Sequence, residues 1–111
     1  MLINGRHDME IMRDEIFGRV APVSLSVDPD EAIAKANDST YGLTSSIYTK
    51  DLKTAMRACA EVRFGETYID HDSFAAMQVF RAGTRRYWIV CADGKHGVYE
   101  YTHTHVVYMQ N

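Results

Sequence analysis

Apolar and polar positions alternate along this chain with two different periods, and the changes of period mark its elements. Val20 to Val27 is rich in β-branched residues, with a proline near its start where a missing N–H is tolerable, and predicts a first strand. Asp28-Pro29-Asp30-Glu31 then predicts a helix start: Asp28 as N-cap, Pro29 at the first helical position, and Glu31 reaching back three residues on. The two acids in this first turn also complement the positive end of the helix dipole. Ala32, Ile33 and Ala36 give the helix a narrow apolar face, and Asn37-Asp38-Ser39 ends it. Leu43 to Thr49 predicts a second strand. Asp51 caps a second helix running to about Val62, in which Leu52, Ala55, Met56 and Cys59 share the i, i+3, i+4, i+7 stripe expected to face a core. Phe64-Gly65 turns the chain into a third strand, Glu66 to Asp70. The fold class is therefore α/β, a β-α-β-α-β segment of a parallel sheet with helices packed on it.

Beyond Asp70 the pattern weakens. Asp72 to Thr84 is a loop with scattered apolar residues. Arg85 to Ala92 has strong β-propensity, and Asp93-Gly94 is a hairpin signal that would pair it with Val98 onward.

Composition narrows the class. With 111 residues, 46% apolar content and 11% aromatics, the chain fits one small core-forming unit, and its buried fraction at this size is modest. A net charge of −3 with no Lys/Arg cluster excludes an electrostatic footprint for nucleic acid. Arg81, Arg85 and Arg86 form the one basic knot, with Asp93 close behind. The apolar run from Tyr87 to Ala92 is far too short to span a bilayer, and the N-terminus carries no apolar signal region, so no membrane partner and a cytoplasmic location are expected. Cys59 and Cys91 lack metal-ligand spacing and are expected as buried, reduced thiols. His103 and His105 would share one face of an extended strand, where His96 or Asp93 could complete a zinc site; a solvated or interface pair is the simpler reading, and no metal is expected.

Three stretches carry a family resemblance: Asp14 to Val23, which reads like E-x-F-G-P-V; Ala36 to Thr49; and Phe64 to Asp70. With Gly94-Lys95-His96-Gly97 and Glu100-Tyr101, they resemble the NAD-dependent aldehyde dehydrogenases from about Ile11 to Gln110, in wording nearest the lactaldehyde/glycolaldehyde branch. The resemblance implies one partial domain. Residues 1–91 would form the end of a catalytic domain, and residues 92–111 an oligomerisation tail with a helix over Ala92–Tyr101 and a subunit-pairing strand over Thr104–Met109. This competes with the hairpin and is the preferred reading, because the Gly94–Tyr101 match runs position by position.

The same resemblance implies that Glu15 accepts hydrogen bonds from the nicotinamide ribose hydroxyls of NAD and that Phe17 packs near the nicotinamide ring. A carboxylate with two oxygens suits a cis-diol, and an aromatic face supplies apolar area. Phe80 aligns with an aromatic residue near the family's substrate entrance. Arg19 replaces a proline of the motif, loosening that turn. Arg86 stands for the lysine of W-R-K-S-G-x-G, and Tyr87, Trp88 and Val90 replace a serine and two glycines, so the family's loop is not expected to form there.

These residues contain no F-x-x-x-G-Q-x-C segment, no E-L-G-G-K segment and no glycine-rich βα turn for a pyrophosphate. Covalent aldehyde oxidation needs a thiolate, a base to activate water and a positioned hydride acceptor. The expectation is a C-terminal portion of an aldehyde dehydrogenase with no catalytic residue, inactive alone and self-associating through its terminal strand as a homo-oligomer. The alternatives are a non-catalytic α/β interaction module and a degenerate gene product.

Overall fold

The computed structural model describes residues 2–3, 5–74, 76, 78–88 and 93–110. Its elements in chain order are β1 (Leu2–Ile3), α1 (Glu10–Arg13), β2 (Pro22–Val23), α2 (Pro29–Asn37), β3 (Thr44–Ile47), α3 (Leu52–Glu61) and β4 (Glu66–Ile69). A single 3-10 turn over Arg85–Tyr87 and α4 (Gly94–Glu100) follow.

Local chemistry fixes the central part. Asp28 caps α2 by accepting the Glu31 amide at 2.8 Å, with Pro29 at the first helical position. Glu31 reaches back as expected but takes the amide of Val27 at 2.8 Å, one residue before the cap. Asp51 caps α3 through the amides of Lys53 and Thr54. The strands on either side of α3 lie parallel, in the register Thr44↔Glu66, Ser45↔Thr67, Ser46↔Tyr68 and Ile47↔Ile69. Asn37 ties the two helices together at one end, donating to the Glu61 carbonyl at 2.8 Å and accepting the Arg63 amide at 2.8 Å.

The expected first strand is cut short. Only Pro22–Val23 is in a ladder, and its parallel partner is Leu2–Ile3 rather than β3, so the described strands form two separate two-stranded sheets. Leu25 and Val27 face solvent. The Leu25 carbonyl is taken by the Lys35 ammonium at 2.6 Å, which draws this segment towards α2 instead of into a ladder.

The apolar stripe of α3 is also differently disposed. Ala55 and Ala58 are the buried hydrophobic residues among those described, whereas Leu52 is 74% exposed and Met56 63% exposed. The small side chains three apart form the covered edge of α3, which packs beside α2, and Leu52, Met56 and Cys59 are left exposed. The expectation of a buried Cys59 thiol is thereby overturned: it is exposed. Cys91 lies outside the described residues.

Arg85–Tyr87 winds as a 3-10 turn instead of starting a strand, which removes the hairpin over the part described; residues 89–92 lie outside it. The helix expected near Ala92–Tyr101 is present as Gly94–Glu100. Residues 102–110 run on as exposed chain, with no sheet partner among the described residues. The molecule measures 73 × 32 × 22 Å with a radius of gyration of 18.4 Å. A compact chain of this length would have a radius near ~13 Å.

Candidate functional site

The segment Asp14–Val20 leaves α1 as exposed turn. Its position is set from α1, which is pinned to the end of α2: Asp38 receives Arg13 at 3.1 Å and His7 Nε2 at 2.9 Å. The His7 contact, then the Arg13 charge, holds the Asp38 carboxyl below its ordinary range. Beyond this anchor Phe17 takes a positive φ of 49° and is 92% exposed, so its ring offers an open face. Glu15 accepts a hydrogen bond from the Tyr87 hydroxyl at Oε1. That bond, followed by desolvation, pushes the Tyr87 phenol up to about 12.

Tyr87 is held by a turn fastened at several points. Thr84 donates its amide to the Gly42 carbonyl at 3.0 Å, and its hydroxyl to Gly42 at 2.9 Å and to Arg63 at 3.1 Å. Arg85 spreads its guanidinium over the carbonyls of Ser39 (2.6 Å), Asn37 (3.0 Å) and Tyr41 (3.1 Å) and lies 5.8 Å from the Phe64 ring centroid. Arg86 bonds the Tyr41 hydroxyl at 3.1 Å and stacks on its ring. These ties bring residues 84–87 against the loop that leaves α2. Gly65 is needed in this packing: a Cβ there would sit 2.8 Å from the Gly83 nitrogen and nearer still to the Ala82 carbonyl.

Phe80 is half-buried and lies in a separate place. Its ring packs on His96 of α4 at a centroid distance of 5.0 Å. It lines a cavity of about 510 Å³ with Glu66, Thr67, Tyr68, His71 and Val79, a cavity to which neither Glu15 nor Phe17 contributes. Glu66 is a residue that sequence reasoning passed over. One of its oxygens accepts the Tyr68 hydroxyl, and the other is enclosed without a hydrogen-bond partner among the described residues. The first contact raises the Tyr68 phenol above its ordinary value. No sequence signal set Glu66 apart from an ordinary strand residue.

His103 and His105 are exposed on the extended tail, and among the described residues no group of three or more His, Cys, Asp or Glu side chains could hold a metal ion. Among those residues, too, no helix is long and apolar enough to cross a membrane.

An exposed carboxylate and an exposed aromatic ring two residues apart can address a ribose diol and a planar ring. The cradle of amides that a pyrophosphate requires is not supplied by these residues.

Known proteins resemble this chain in sequence and in structure. The model of the aldehyde dehydrogenase family matches residues 1–107. The chain is 52% identical over 111 residues to lactaldehyde dehydrogenase of Escherichia coli, covering 100% of this chain and 23% of that protein. It is 35% identical over 111 residues to 3,6-anhydro-alpha-L-galactose dehydrogenase of Streptomyces coelicolor, again 23% of that protein. A crystal structure of the Escherichia coli lactaldehyde dehydrogenase superposes with a TM-score of 0.89 over 98% of this chain and 23% of that one, at 53% identity. Betaine aldehyde dehydrogenase of Staphylococcus aureus in complex with NAD+ gives 0.84 over 89% of this chain and 20% of that one, at 32% identity. The chain thus spans about a quarter of the length of these relatives.

Proposed function

The chain belongs to the aldehyde dehydrogenase family, and we propose that its residues form the nicotinamide-side rim and the subunit-pairing tail of an NAD-dependent dehydrogenase for a small aldehyde such as lactaldehyde. They do not oxidise the aldehyde by themselves. Glu15 accepts the hydroxyls of the nicotinamide ribose, Phe17 lies beside the ring, and Phe80 borders the substrate entrance. When bound, NAD supplies the hydride acceptor. The chain's own residues bind and orient its nicotinamide half. A cytoplasmic location accompanies this reading.

The observation that supports it is the exposed pair Glu15 and Phe17, displayed on a turn anchored through Arg13 and His7 to Asp38. The two residue types match what a ribose diol and an apolar ring ask for. Equally relevant, no cysteine here stands in a nucleophile segment. Cys59 sits on the outer face of α3 with no base assigned to it.

Self-association through residues 102–110 is the second half of the proposal. This stretch is exposed throughout and has no sheet partner among the described residues, and an unpaired edge of this kind pairs readily with another copy. Two measurements test the whole. NADH absorbance with lactaldehyde and NAD should stay at the no-protein rate; formation of NADH that Cys91→Ala or Cys59→Ala abolishes would defeat the non-catalytic reading. Light scattering after size exclusion should give a larger mass for the full chain than for a version ending at Tyr101. Equal masses would defeat the pairing role of the tail, and a monomeric full chain would remove it altogether.

A further inference from the structure

The Glu15 carboxylate is already engaged, and by a side chain 72 residues away in sequence. We propose that Tyr87 is a latch on the nicotinamide-ribose site: its hydroxyl rests on Glu15 in the free protein and competes with a ribose diol for that carboxylate. This rests on the reading of Glu15 as the diol acceptor and adds the element that controls access to it.

Three features of the fold carry the inference. The first is chemical. A carboxylate recognises a cis-diol through both oxygens, and Tyr87 takes one of the two lone-pair sites of Oε1 and sets its ring beside it, so a diol arriving at Glu15 competes with the phenol for that oxygen. The second is mechanical. Tyr87 closes a 3-10 turn that Thr84 and Arg85 bolt to the main chain at Asn37, Ser39, Tyr41, Gly42 and Arg63. Its ring also packs on Tyr41 at 6.0 Å between centroids. The base of the phenol is thus fixed, while Glu15 lies on the exposed segment that follows α1. The third is the side chain itself. Where the motif W-R-K-S-G has a serine, this chain has a tyrosine, whose hydroxyl stands a whole ring farther from the backbone. A serine hydroxyl on the same turn would stop short of the carboxylate that the phenol reaches. The latch is therefore written into position 87, while Glu15 and Phe17 keep the wording of their motif.

The test uses the full chain and nicotinamide mononucleotide, followed by saturation-transfer NMR. Tyr87→Phe keeps the ring on Tyr41 but removes the hydroxyl, and the nucleotide should then bind about three- to tenfold more tightly, as expected for removing one competing hydrogen bond. Adding Glu15→Gln to that variant should cancel the gain. If Tyr87→Phe binds no more tightly than the parent while Glu15→Gln still weakens binding, the latch is wrong and the diol acceptor stands. If Glu15→Gln changes nothing, the diol reading fails and the latch fails with it; a lack of saturable binding in every form has the same consequence. A second measurement needs no ligand. In ¹³C-tyrosine spectra the Tyr87 resonance, identified by its loss in Tyr87→Phe, should titrate at higher pH in the parent than in Glu15→Gln. Identical titration in both forms would mean that the hydroxyl does not rest on Glu15 in solution, which overturns the latch whatever the nucleotide does.

Discussion

Arg85→Met removes one guanidinium and orphans three carbonyls at once. In the structure those carbonyls, on Asn37, Ser39 and Tyr41, lie where the chain leaves α2, and each accepts one donor of the fork at 2.6–3.1 Å. Hydrogen bonds to a charged donor contribute about 1.5–3 kcal/mol each where water is excluded, but these share one side chain and are only part-buried, so the sum is about 2–4 kcal/mol. Methionine preserves much of the alkyl stem against Phe64, so the loss reports the donors and not the packing. Against a total of about 5–15 kcal/mol for a domain of ordinary core, and with Ala55 and Ala58 the buried hydrophobic residues among those described, that is a large share of what holds the chain together. Urea unfolding followed by circular dichroism should show the midpoint falling sharply, and the thermal midpoint should drop by roughly 10 °C or more. Arg85→Lys should lie between, because an ammonium reaches fewer of the three carbonyls. A Met variant within about 0.5 kcal/mol of the parent would refute the idea that this fork fastens the 84–87 turn to the loop after α2.

Two further outcomes follow from the same packing. Gly65→Ala forces a Cβ onto the Ala82–Gly83 backbone and should cost about 2 kcal/mol or more in urea unfolding, while Gly18→Ala, whose nearest neighbour would be 3.7 Å away, should stay within about 0.5 kcal/mol. Helix content should also respond to acid in a definite window. Asp51 is held below its ordinary 3.8 by the Thr54 hydroxyl first and then the Thr54 amide, and Asp38 below 3.8 by His7 first and then Arg13. Because these folded values are depressed, their contribution is complete above about pH 4 and is lost as pH falls through them. Circular dichroism should therefore be flat from about pH 7 to 5 and decline below about pH 4. Asp51→Asn keeps an acceptor at the cap and should flatten that decline; an unchanged acid limb would show that the cap does not carry it.

What the chain announces about itself, it announces locally. Asp28-Pro29 and Asp51 are cap chemistry within one turn of the helices they start, so α2 and α3 begin where the residues say. The strands flanking α3 follow from β-branched runs bounded by Gly42 and Gly65. β1 and α1 were illegible because two and four residues are too few for any period to register. α4 fails on local rules altogether: it contains two glycines, and Asp93-Gly94 reads as a hairpin. It forms where Gly94 adopts a φ of 58°, at a place where a Cβ would sit 2.9 Å from the Gln78 carbonyl, and where His96 packs on Phe80. Those contacts reach back to residues 78–80, which no windowed reading sees; a family motif preserves them in compressed form. The candidate site divides the same way. Glu15 and Phe17 are visible as a motif, whereas the Tyr87 hydroxyl that engages Glu15 depends on how the turn after Gly83 is fastened.

The direction of the α3 stripe shows why amphipathicity alone could not settle the core. Leu52, Ala55, Met56 and Cys59 are one stripe by periodicity, yet the hydrophobic residues that α3 buries among those described are Ala55 and Ala58, three apart at one edge of that stripe. The larger apolar residues Leu52 and Met56 lie at its exposed edge. A period states that a helix has an apolar face; the depth of the side chains on it decides which edge of that face goes inward. With a second packing layer, Leu52 and Met56 would be covered as well, and the helix would be apolar on two sides, as buried helices are. In this structure the small residues Ala55 and Ala58 are the covered ones, while Leu52 and Met56 stay 74% and 63% exposed.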